Sequence, residues 1–80
     1  MCDLLTNIGK IHTTSMGEDR IRRNLLLGEI VVEDYCVQKL LQDNAVITRQ
    51  GKNWYVSVDD CIITINAHSY TIITAHKIKN

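Results

Sequence analysis

The sequence predicts an α+β domain in which three N-terminal helices pack on one face of a four-stranded antiparallel meander. Three observations predict it. Near residue 44 the apolar spacing changes once, from the three-to-four-residue repeat of helices to the two-residue alternation of strands. Beyond that point Gly-Lys-Asn, Asp-Asp and His-Ser separate short β-branched runs, as hairpin connections do. No proline, repeat or low-complexity tract marks a linker, so residues 1–80 read as a single domain with a helical half at 3–43 and a sheet half at 45–78.

Each element has a local reason. Leu4 or Leu5, Ile8 and Ile11 make one stripe, which predicts a first helix ending near His12. Ser15-Met16-Gly17-Glu18 has the form of a capping box and starts a second helix, with Ile21 and Leu25 on its inner face and Gly28 as a left-handed stop. Val32, Cys36 and Leu40 recur every four residues, so a third helix covers about residues 30–42 and ends at Asp43-Asn44. Strands follow at residues 45–50, 54–58, 61–67 and 70–78. Pairing Val58 with Cys61 and Ala67 with Tyr70 puts Trp54, Val56, Val58, Cys61, Ile63, Ile65, Ile72, Thr74 and His76 on the inward face. Tyr55, Ser57, Ile62, Thr64, Asn66, Thr71, Ile73, Ala75 and Lys77 then form the open face, and a three-residue turn at Gly51 leaves the face of Arg49 open.

Totals narrow the function classes. Nine basic residues balance nine acidic ones, which argues against a uniformly basic nucleic-acid coat. From Arg49 onward, however, four basic residues face two acidic ones, so a contact with a polyanion would be local to the sheet half or to Arg20, Arg22 and Arg23. Cys2, Cys36 and Cys61 are odd in number, lack C-x-x-C spacing and follow no secretory leader, which predicts reduced thiols in a cytoplasmic protein. No apolar run reaches the roughly 20 residues of a membrane span. The histidines and cysteines show no metal-ligand spacing, and no phosphate loop or serine elbow is present, so no metal or cofactor is expected.

A few polar residues stand out as chemistry. His12 lies in I-H-T-T-S at the first helix junction, where imidazole serves as acid or base, although a helix C-terminus favours histidine for its dipole alone. Thr74 and His76 alternate on the face expected beneath the helices, and inward polar groups on an apolar strand need a reason, catalytic or hydrogen-bonding. Tyr55, Thr64, Asn66, Thr71 and Lys77 on the open face suit a phosphate-bearing ligand or a protein partner, and equally an ordinary solvated sheet.

Residues 10–25, KIHTTSMGEDRIRRNL, and residues 51–77, GKNWYVSVDDCIITINAHSYTIITAHK, resemble a family of small bacterial proteins known only as a domain of unknown function. The shared patterns are H-T-T-x-x-G-x-x-R-I-x-x-N-L, G-K-N-W-Y and N-A-x-S-Y-T-I-I-T-A-H. The closing hairpin ITINAHSYTIITAH is also similar to that of metal-independent ribonuclease toxins of the barnase, tRNA-cleaving colicin and RelE type, which pack N-terminal helices on a four-stranded antiparallel sheet. That second resemblance implies an RNA-cleaving or RNA-binding protein of toxin type. It implies His12 as acid or base, Thr74 as a strand hydroxyl near the phosphate with His76 on the same strand, Asn66 as a turn-fixing or substrate-contacting group, and Arg49 or Lys52 as the cation, with Lys77 a further basic contact. The other expectation is a non-enzymatic interaction module, a regulator or inhibitor from a mobile element, that engages a protein partner through the open face or an edge strand, and a third is a homodimer that buries the open face.

Overall fold

In the computed structural model, which describes residues 3–78, the chain runs α1 (Asp3–Thr6), a 3-10 turn (Ile8–Lys10), α2 (Ser15–Leu25), α3 (Val32–Leu40), β1 (Val46–Gln50), β2 (Asn53–Val58), β3 (Cys61–Asn66) and β4 (Ile72–Lys77). The strands form one antiparallel sheet in the order β1-β2-β3-β4, so the expected meander is present. Cys2 lies outside the described residues.

The first helix is interrupted. After Asn7 the chain tightens into the 3-10 turn, and His12 leaves it in an extended segment that bridges to Thr71 in parallel. Its amide donates to Tyr70 O (3.2 Å) and its carbonyl accepts from Ile72 N (2.7 Å). Backbone pairing with the edge of the last hairpin therefore replaces a final helical turn at His12, which corrects its expected place on a helix.

Thr14, one residue before the expected cap, starts α2: its hydroxyl accepts from Gly17 N at 3.0 Å. A Cβ on Gly17 would lie 3.0 and 3.1 Å from the hydroxyls of Thr13 and Thr14, so the close approach there suits glycine. Glu18 does not reach back to complete a capping box but pairs with Arg22, whose guanidinium also donates to Gly28 O and to Ile30 O (2.9 Å). The helix stops two residues earlier than Gly28 would have it, at Leu26, which is left-handed (φ 55°). Asp59 and Asp60, both at positive φ, make the two-residue turn between β2 and β3. Lys39 of α3 reaches Asp59 at 2.7 Å and Asn44 reaches it at 2.9 Å. These bonds hold the Asp59 carboxyl below its usual range and raise the Lys39 ammonium above its own.

Ile21, Leu25, Val32, Cys36 and Leu40 from the helices join Trp54, Val56, Val58, Cys61, Ile63, Ile65, Ile72 and Ala75 from the sheet in one buried core, with Leu4 and Ile11. The expected register holds from the tip to Ile65 opposite Ile72 and then slips by one residue. Ile73 is the extra residue of a β-bulge, so Thr74 pairs with Thr64, Ala75 with Ile63 and His76 with Ile62. Two expectations are thereby corrected. Ala75, not Thr74, faces the core, and Thr74 and His76 lie on the other face, in line with the Tyr55 and Thr64 row and with Ile62. Lys77 stands opposite Cys61, which puts it on the inward side and not on the expected open face.

Candidate functional site

Two hairpin tips meet at one end of the sheet. At the first, Gln50 pairs with Asn53 across a two-residue turn in which Gly51 has φ 58°, a conformation that favours glycine. That register places Arg49 opposite Trp54, on the inward face. The Arg49 guanidinium lies 5.4 Å from the Trp54 ring centroid and its Nε donates to Gly51 O at 3.1 Å. Trp54 packs on Tyr70 with centroids 5.3 Å apart, and the Lys10 ammonium sits 5.7 Å from the Tyr70 ring. A cation, two rings and a second cation thus run in a row beneath the tips.

The second tip is built around one side chain. Asn66 Oδ1 accepts from His68 N and Ser69 N, both at 2.9 Å, and from Ser69 Oγ at 3.2 Å. Tyr70 N returns to Asn66 O at 2.9 Å, with Tyr70 itself left-handed at φ 61°. Ala67 N donates to Lys52 O at 2.8 Å, which staples the tips together. Between them lies a hollow of about 500 Å3 lined by Arg49, Gly51, Lys52, Asn66, Ala67 and His68. It holds two cations and no carboxylate.

On the outer side of the last hairpin is an imidazole with a defined orientation. His12 Nδ1 is 3.0 Å from Lys10 O and Nε2 is 3.0 Å from Thr71 Oγ1. A carbonyl oxygen only accepts, so Nδ1 carries the proton and Nε2 presents its lone pair to the Thr71 hydroxyl. Thr71 Oγ1 has a second neighbour in Ser69 Oγ at 2.8 Å. With Thr71 donating to His12, the Ser69 hydroxyl donates either to Thr71 or to Asn66, so the chain of polar contacts from His12 to Asn66, which lines the hollow, can switch its donors.

The hollow brings Arg49, Lys52 and Asn66 together, whereas His12 does not line it and reaches Asn66 only through contacts at Thr71 and Ser69. The hydroxyl that meets His12 is that of Thr71, whereas Thr74 and His76 lie farther along β4 and Lys77 at its far end, opposite Cys61. Sequence reasoning gave Thr71 no chemical partner and gave His68 no role. The signal for both was present in N-A-H-S-Y-T, where an Asn followed by Ser at the third position is a side-chain-to-backbone turn that gathers its neighbours inward. Cys36 and Cys61 are buried free thiols; burial first, then Cys61 and Glu33 nearby, pushes the Cys36 thiol up to about 12, which leaves it protonated and a poor nucleophile. Among the described residues no three His, Cys, Asp or Glu side chains group closely enough to hold a metal ion. No helix among them is long and apolar enough to cross a membrane.

The model of a family described as "Protein of unknown function (DUF3781)" matches residues 5–76. No curated protein and no solved structure matches the chain.

Proposed function

The chain belongs to the DUF3781 family, to which no activity is attached, and from its site we propose that it is a small metal-independent ribonuclease-like or RNA-binding protein of toxin type. In this reading the helices cover one face of the sheet, and the hairpin tips take the RNA backbone. One observation carries it: the His12 imidazole meets the Thr71 hydroxyl on the same hairpin whose Asn66, with Arg49 and Lys52, lines a carboxylate-free hollow.

The reaction uses these groups in order. The RNA backbone crosses the hairpin tips, where Arg49 and Lys52 offset its charge, and one of its phosphodiesters comes to His12. The hydroxyl now donating to His12 Nε2 is that of Thr71, and a ribose 2′-hydroxyl would make the same bond. Thr71 can turn to Ser69 Oγ and release the imidazole. Nε2 then takes the 2′ proton as O2′ attacks phosphorus, the bond to O5′ breaks, and O5′ takes a proton from solvent. The products are a 2′,3′-cyclic phosphate and a 5′-hydroxyl. The need for a 2′-hydroxyl makes the substrate RNA.

Incubation of purified protein with total RNA tests the reading. Wild type is expected to leave cyclic phosphate ends, and His12→Ala to lose about 10²–10⁴ of the rate, the usual worth of one positioned acid or base. Thr71→Ser should retain activity. No cleavage by wild type, or equal cleavage by His12→Ala, removes the enzymatic proposal; binding without cleavage leaves only the RNA-binding form.

The second reading, a protein-interaction module, has a separate support in the outer edge of β1, which no other strand of the chain covers among the described residues.

A further inference from the structure

The two edges of the sheet are treated differently. β4 is sealed along its outer side: His12 pairs with the backbone at Tyr70 and Ile72, Asn24 Nδ2 donates to Ala75 O at 3.2 Å, and α2 packs along the strand. β1 has none of this. Among the described residues no backbone hydrogen bond reaches its outer side, and Val46 at its start is 61% exposed. An open edge usually carries a proline, a lysine or a bulge that discourages pairing. Val46-Ile47-Thr48-Arg49-Gln50 has no proline and no lysine, and its pairing with β2 is regular. Its single charge, Arg49, lies over Trp54 and bonds Gly51 O on the inward side, so it does not guard the edge.

We propose that the outer edge of β1 pairs with the same strand of a second copy of this chain, antiparallel about a two-fold axis at Thr48, to make one continuous sheet of eight strands. The segment is complementary to itself in that register. Val46 falls opposite Gln50 of the second copy, Ile47 opposite Arg49, and Thr48 opposite Thr48. No like charges oppose each other, and the axial Thr-Thr pair is one of the favourable cross-strand pairs. Residues 47 and 49 share the inward side, so this register keeps each copy's core on the same side of the joined sheet. A chain of zero formal charge adds no net repulsion between copies. The pairing leaves the hollow between the hairpin tips unused, and so stands apart from the RNA reading.

Sedimentation velocity over a dilution series tests it, with wild type, Thr48→Lys and Thr48→Glu, each first shown folded by circular dichroism. Thr48 is exposed, so both replacements fit the free monomer. Wild type is expected to pass from monomer to dimer as concentration rises. Each variant alone should associate several-fold more weakly, because two like charges meet at the axis, and an equimolar mixture of the two should regain or exceed wild-type association. Three outcomes overturn the proposal: wild type monomeric up to about 1 mM, either variant dimerising as well as wild type, or a mixture no better than its components. The first would leave the edge to a strand from another protein.

Discussion

At the scale of single residues, the segment His12-Thr13-Thr14 with Gly17 does structural work before any chemistry. Thr14 caps α2, Thr13 N donates to Glu33 Oε2 at 3.1 Å, and Gly17 leaves room for both hydroxyls. Replacing Thr14 by Ala removes the hydroxyl that caps that helix and is expected to cost about 1 kcal/mol, read as a lower urea midpoint with unchanged slope. The location of these residues was legible in the sequence. Their roles were offset by one, because Ser15 and Thr14 are equally good caps and only the extended backbone before the helix decides between them. The pairing of Thr71 with His12 was missed for a related reason: nothing in linear spacing brings residue 12 to residue 71.

At the scale of elements, strand order, turn positions and helix count could all be read from the change of period, since hydrophobic alternation and turn chemistry are local signals. What alternation cannot reveal is a bulge that contains no glycine. Ile73 is a good strand former, yet it is the inserted residue, and it moves Thr74 and His76 to the face opposite the one alternation assigns. Its deletion would leave Ile72 and Thr74 consecutive opposite Ile65 and Thr64, a regular ladder with Ala75 still inward. We therefore expect the chain without Ile73 to fold with a melting temperature close to that of wild type. A chain without Ala75, which brings His76 to the core position, should lose its cooperative thermal transition by circular dichroism.

At the scale of the whole molecule, the hairpin turns at the two ends of the sheet carry opposite charges. The tips at one end carry Arg49 and Lys52, and the turn at the other carries Asp59 and Asp60. Zero net charge therefore hides a polarity that composition alone did not show beyond the modest basic excess after residue 49. The acidic end also sets a pH limit. The Lys39 hydrogen bond lowers the Asp59 carboxyl, so this pair stabilises the fold above the ordinary carboxylate range, and its contribution is lost as pH falls through the depressed folded value. Asp59→Asn, which tolerates the same positive φ, should narrow the gap between melting temperatures at neutral and strongly acidic pH. An unchanged gap would show that other carboxylates govern acid unfolding.

The strap formed by His12 against Tyr70 and Ile72 joins segments about 60 positions apart in the chain. During synthesis the segment around His12 is made early, yet its seat exists only after the last hairpin has left the ribosome. For most of translation that stretch must wait without its partner, and a nascent chain cut short before residue 70 would have nothing to fasten it.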